Sequence, residues 1–179
     1  MKSSNTLVDL ETSITIPKNQ GECHHELEIA ILIGQSLKDA SENEAIKSIS
    51  GIGLALDLTL RDVQNSLKEK KHPWEKAKNF DGACPVSKFI DSDEFADLPH
   101  HLQTLEFQMS KNGQVVQKGN SKDMLFTISA LISNISRHFS LYPGDIILTG
   151  TPAGVAALQE GDKLRFELQH QVLADCIVS

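Results

Sequence analysis

The stretch His24-His25-Glu26-Leu27-Glu28-Ile29-Ala30-Ile31-Leu32-Ile33-Gly34 decides how this chain is read. Leu27, Ile29, Ile31 and Ile33 alternate with Glu26, Glu28 and Ala30, so apolar and polar side chains fall on opposite faces at period two. β-branched residues at that period predict a strand. Two carboxylates then share one face, about 7 Å apart at Cα. Like charges on a half-buried face repel each other, and a cation between them removes the conflict. A solvated face of an antiparallel sheet is the other reading the pattern allows.

Working outward, Ile49–Thr59 reads as a second strand, with Leu54, Leu56 and Leu58 on one face and Gly53, Ala55, Asp57 and Thr59 on the other. The small residues leave room above the sheet, and Asp is disfavoured within strands. Asp57 is therefore a third candidate ligand, or else only a helix-entry residue two positions before a Thr59 cap. Three carboxylates with no thiolate make a hard oxygen site of the kind that suits Mg²⁺ or Mn²⁺. Thr59-Leu60-Arg61-Asp62 resembles a capping box, opening a helix to about Lys70 with Leu60, Val63 and Leu67 as its buried stripe. Arg61 and Gln64 share a face near that helix N-terminus, where an anion is favoured; a surface arginine is the plainer reading. Gly150-Thr151-Pro152-Ala153-Gly154 follows a strand and offers N–H groups and a hydroxyl to a carboxylate, or is a tight turn. It lacks the Gly-Lys-Ser/Thr ending of a phosphate loop. His24 shares the face of Glu26, so a histidine-containing zinc site is a weaker alternative.

The rest of the chain supplies strands and a few separate helices. Ser36–Lys47 reads as irregular or helical and Trp74–Pro85 as loop. Asn112-Gly113 joins Leu105–Ser110 to Gln114–Lys118 as a hairpin. Lys122–Phe139 reads as a helix capped by Ser121 or Asn120, with Leu125, Ile128, Leu131, Ile132 and Ile135 as its apolar positions. Asp145–Thr149, Lys163–Leu168 and Val172–Val178 complete the strands. That order predicts an α+β fold with a mixed sheet rather than repeating βαβ units. At 179 residues, 40% of them hydrophobic, the chain suffices for a single domain over residues 1–179. The net charge of −7 argues against nucleic acid or an anionic membrane as partner. No apolar run approaches the ~20 residues of a membrane span. Cys23, Cys84 and Cys176 form no CxxC pair, which argues against a disulfide framework and for a reduced, cytoplasmic compartment. The N-terminus lacks the apolar core of a secretory signal.

Five blocks together resemble the fumarylacetoacetate hydrolase family, in the family's order and over nearly the whole chain. They are Gly21-Glu22-Cys23-His24-His25-Glu26-Leu27-Glu28; Ala55-Leu56-Asp57-Leu58-Thr59-Leu60-Arg61-Asp62-Val63-Gln64; Trp74 with Ala77-Lys78; Cys84-Pro85-Val86-Ser87; and Gly144-Asp145-Ile146-Ile147-Leu148-Thr149-Gly150-Thr151-Pro152-Ala153-Gly154-Val155. The small acylpyruvate hydrolase and oxaloacetate decarboxylase branch is the most similar. The resemblance implies a mixed β-roll, usually in a homodimer, with Glu26, Glu28 and Asp57 as ligands of Mg²⁺ or Mn²⁺. Arg61, Gln64, Lys78 and Thr151 match its substrate-contacting positions. It further implies a small 2-oxo acid substrate, a cation acting as Lewis acid, and Lys78 as a catalytic residue adding positive charge beside the enolate.

The expected reaction is metal-dependent hydrolysis of a C–C bond in a small 2,4-dioxo acid. The alternatives are decarboxylation of oxaloacetate, isomerisation of an oxo-diacid, or metal binding by a catalytically impaired homologue. The family carries, ahead of the segment resembling Met1-Lys2-Ser3-Ser4, a lid with a His and a Glu that handle water. Residues 1–22 offer only Glu11 and Glu22 in their place. The expectation is therefore that hydrolysis suffers more than metal or substrate binding.

Overall fold

A computed structural model describes residues 1–179. In chain order its strands are β1 (Leu7–Asp9), β2 (Cys23–His25), β3 (Leu27–Ile33), β4 (Ile49–Leu56), β5 (Thr59–Leu60), β6 (Cys84–Val86), β7 (Ile90–Asp91), β8 (Glu106–Lys111), β9 (Gln114–Asn120), β10 (Ile146–Leu148), β11 (Ala156–Ala157), β12 (Lys163–Leu168) and β13 (Gln171–Ile177). Its helices are α1 (Glu42–Lys47), α2 (Arg61–Glu69), α3 (Glu75–Lys78), α4 (Leu98–His101) and α5 (Ile128–His138). The strands form three sheets. One runs β1-β6-β4-β3-β10 with β7 added beside β4; a second is β11-β2-β5; the third is β13-β12-β8-β9. Only β1 and β6 pair in parallel among the ladders, so the architecture is mixed α+β, as the order of elements predicts.

The two strands that decide the reading lie side by side. β3 and β4 are antiparallel, with Leu27 opposite Leu56 and Ile31 opposite Ile52. The Leu27, Ile29, Ile31 and Ile33 face is fully buried in the main core, with Leu54, Leu56 and Phe166 in the same cluster. The other face carries a separate, smaller cluster of Ala30, Ala55, Cys84 and Val86, edged by Ile146 and Leu148. Small side chains there leave a shelf beside Glu28. All three cysteines are buried and free.

The structure redraws four boundaries. The strand through His24 is broken at Glu26: Cys23–His25 pairs in the second sheet, and Leu27–Ile33 in the first. Thr59 does not cap α2, because Thr59-Leu60 is itself paired with β2 and the helix starts at Arg61 without a side-chain cap. The Asp62 carboxylate instead accepts from the Glu22 N–H at 2.8 Å, tying α2 to the strand ahead of it. A capping box does form at Ser41 and Glu44, opening α1. Finally, the helix expected from Lys122 begins only at Ile128. Ser121 Oγ accepts from Leu105 N–H, Asn120 caps a short 3₁₀ turn, and Thr127 Oγ1 accepts from Ala130 N–H to start α5. Leu125, expected in the buried stripe, is 96% exposed. The segment Trp74–Pro85 is also more ordered than a loop, holding α3 and the start of β6.

Candidate functional site

The break between β2 and β3 is what builds the site. Glu26 stands in the gap between the two sheets and Glu28 one step into β3, while Asp57 follows the last residue of β4. One carboxylate oxygen from each lies within 4.8 Å of the other two. Three charges so close together need compensation, and three basic side chains provide it. Arg61 Nη2 pairs with Glu26 Oε1. Lys78 Nζ bridges Glu26 Oε2 at 2.9 Å and Asp57 Oδ2 at 2.8 Å. Lys2 Nζ lies 2.8 Å from Asp57 Oδ1 while donating to the Leu58 carbonyl at 3.1 Å and to that of Lys78.

Glu28 is the deepest of the three, 6% exposed. Its Oε2 accepts from Gly150 N–H at 2.6 Å. Burial pushes its carboxyl up to about 7, the Asp57 and Glu26 charges add to that, and the Gly150 N–H and Lys78 oppose it. Gly150 has φ +98°, a left-handed conformation that lets its N–H turn into the carboxylate and that a side chain would strain.

Arg61 and Gln64 share one face of α2, and Arg61 Nη1 donates to Gln64 Oε1 at 2.6 Å. Arg61 Nε also donates to His24 Nδ1 at 3.4 Å, and His24 Nε2 meets Glu22 Oε2 at 2.9 Å. Glu22 is thereby engaged with His24. Glu11 pairs with Lys88 at 2.9 Å. Lys76, which spacing could not tell from Lys78, is exposed, whereas Lys78 points into the carboxylates. Thr151 sits on the loop after β10, where its Oγ1 accepts from Gln117 Nε2 at 2.9 Å. It lines a side cavity of about 400 Å³ that shares Gly150 with the main one. The main cavity, about 1090 Å³, is bordered by Lys2, Glu28, Asp57, Trp74, Lys78 and Gly150.

Two residues of this arrangement carry no signal in the sequence. Lys2 lies in a polar run with no period, and Gln117 is one glutamine in a hydrophilic hairpin. Neither is adjacent to the carboxylates except through the fold.

Asp57 Oδ1 is buried and faces the Lys2 ammonium at 2.8 Å, so this carboxylate oxygen already sits against a positive charge. The all-oxygen donor set fits a hard divalent cation, which Glu26, Glu28 and Asp57 could hold.

The chain matches the family described as "Fumarylacetoacetate (FAA) hydrolase C-terminal" over residues 1–178, and it belongs to that family. It is 47% identical over 164 residues to the oxaloacetate tautomerase YcgM of Escherichia coli (strain K12), covering 92% of this chain and 74% of that protein. It is 41% identical over 152 residues to a mitochondrial oxaloacetate decarboxylase of Dictyostelium discoideum, covering 85% of this chain and 68% of that one. Among solved structures it resembles a fumarylpyruvate hydrolase from Pseudomonas aeruginosa in complex with Mn²⁺ and pyruvate. That match has a TM-score of 0.88 at 25% identity, covering 99% of this chain and 77% of the other.

Proposed function

We propose that this chain is a Mg²⁺- or Mn²⁺-dependent enzyme acting on a small 2-oxo diacid, with oxaloacetate the substrate and keto–enol tautomerisation or decarboxylation the reaction. The observation that carries this reading is the clustering of Glu26, Glu28 and Asp57 against Lys2, Arg61 and Lys78. Three carboxylates and three basic side chains sum to zero. A divalent cation therefore leaves the site at +2, the complement of a dianion. The names of the tautomerase and decarboxylase relatives agree with that charge, and the Mn²⁺ and pyruvate of the fumarylpyruvate hydrolase agree with the ligand class.

When bound, the cation would polarise the oxo group and lower the cost of negative charge on its oxygen. The remaining work falls to the side chains. Arg61 presents guanidinium N–H groups that match a carboxylate, and Gln64 orients them. Lys78 keeps a proton at Nζ beside two site carboxylates, ready to face an oxygen that gains charge. Neither reaction needs an attacking water. Hydrolysis does, together with a base within about 3 Å of it. The names of the tautomerase and decarboxylase relatives favour these two reactions over the acylpyruvate hydrolysis expected first.

The test follows the enol form of oxaloacetate by ultraviolet absorbance and pyruvate formation in a coupled assay, each with Mg²⁺ alone, with protein alone and with both. Protein plus Mg²⁺ should exceed the sum of the separate rates in at least one assay, and Glu28→Gln should return it to the rate of Mg²⁺ alone. Wild-type rates no higher than those of the free cation would sink the reading.

A further inference from the structure

Gln117 lies on β9, in the third sheet, yet its side chain reaches both other parts of the site framework. It is 1% exposed. Its Oε1 accepts from Leu27 N–H at 3.0 Å and faces His25 Nδ1 at 2.7 Å. Its Nε2 donates to Thr151 Oγ1 at 2.9 Å and to the Pro152 carbonyl at 3.1 Å. The Leu27 N–H can only donate and the Pro152 carbonyl can only accept, so the amide has one orientation here. The same geometry fixes His25 with its proton on Nδ1.

This amide spans the break in the strand that sets Glu26 beside Glu28, and it spans the loop that carries Thr151. The loop is pressed onto β9 at a second point: a Cβ on Gly154, where φ is +104°, would lie 2.1 Å from the Val116 carbonyl oxygen. The loop therefore cannot be moved away from Gln117 without unseating it from the strand.

We propose that Gln117 is a positioning residue that sets the polarity of Thr151. Because the Thr151 hydroxyl accepts the Gln117 proton, its own proton is directed elsewhere, making it a donor to an anionic oxygen of the bound oxo acid. This rests on the reading of Thr151 as a substrate contact. Gln117→Glu keeps the acceptor for Leu27 N–H and His25, but an ionised carboxylate draws the Thr151 proton toward itself and presents the ligand with lone pairs.

The experiment is a double-mutant cycle of Gln117→Glu and Thr151→Val, read by calorimetric binding of oxalate in saturating Mg²⁺ and by kcat and KM for oxaloacetate. Gln117→Glu should weaken oxalate about tenfold, the scale of one hydrogen bond to a charged group, and raise KM more than it lowers kcat. In the Thr151→Val background the same change should cost less than about twofold. Equal losses in both backgrounds, or no loss in either, overturn the proposal. A ligand-free arm separates it from the function assigned above. The Gln117 side-chain amide protons should exchange slowly in an NMR spectrum of wild-type protein and faster in Thr151→Val; unchanged exchange overturns the Gln117–Thr151 link even if the enzyme is fully active. An inactive wild-type protein with the expected exchange shift instead overturns the oxo-acid reading alone.

Discussion

The two faces of β3 obey opposite rules. On one, Leu27, Ile29, Ile31 and Ile33 are sealed among other large apolar side chains. On the other, Glu28 shares a shelf of small residues with Asp57, Lys78 and Gly150. The first face stabilises the fold by removing apolar area from water; the second holds a carboxylate where water would normally be needed to keep it charged. One strand thus supplies both the rigidity and the strain of the site, one residue apart.

The sharpest way to break that contrast is to truncate one side chain on each face. Ile29→Ala should lower unfolding free energy by about 2–5 kcal/mol, measured by urea denaturation, because it opens a cavity in a core with no exposed edge. Glu28→Gln should do the reverse. In metal-free protein at pH 8 it removes a buried charge while leaving an oxygen for the Gly150 N–H, so stability should rise by about 1–3 kcal/mol. Loss of stability in that variant would show that the Glu28 charge is already well compensated. Divalent cation binding should fall at least a hundredfold in the same protein, since even indirect changes around a ligand cost about 10–100-fold.

Titration sharpens the contrast without mutation. Burial pushes the Glu28 carboxyl up to about 7 in the folded protein, above the ordinary glutamate value of 4.5. Between those values the folded state holds the extra proton, so this group costs stability as pH rises through the window and the full cost is present above about 7. A bound cation replaces that proton. Added Mg²⁺ should therefore raise the thermal midpoint by several degrees more at pH 8 than at pH 5.5, by calorimetry. An equal rise at both values would mean the proton and the cation do not compete.

The smallest expected effect lies off both faces. Ser41→Ala removes the capping box of α1, whose Ser41 and Glu44 satisfy each other's backbone, and should cost about 1 kcal/mol with unchanged oxaloacetate kinetics. Altered kinetics would show that α1 communicates with the site.

Period two made β3 and β4 legible because each buries one uniform row of Leu and Ile, and the Asn112-Gly113 turn was legible because both residues take positive φ. The kink at Glu26 was not. Alternation runs unbroken through it, and only the presence of a second sheet pulls Cys23–His25 aside. The start of α5 lies later than the spacing predicts for a related reason. Leu125 fits the helical stripe by spacing, yet Ser121 is captured by Leu105 and Thr127 is the better cap. At the site, carboxylates within an apolar strand announce themselves because they are costly there. Lys2 and Gln117 do not, since a lysine in a polar run and a glutamine in a hairpin are ordinary until the fold closes around them. Lys78 was separable from Lys76 only by the resemblance, and in three dimensions by the turn of α3 that aims one inward.

The hydrogen bond from Gly150 to Glu28 joins residues 122 positions apart, and Lys2 meets Asp57 across 55. Contacts of such separation are reached late in folding, because the intervening chain must first give up its freedom. Partly folded forms of this chain would own the β3–β4 hairpin and its two glutamates but neither the Gly150 donor nor the lysine opposite Asp57. Tight cation capture would in this sense be a clock, striking only after stretches far apart in the sequence have met.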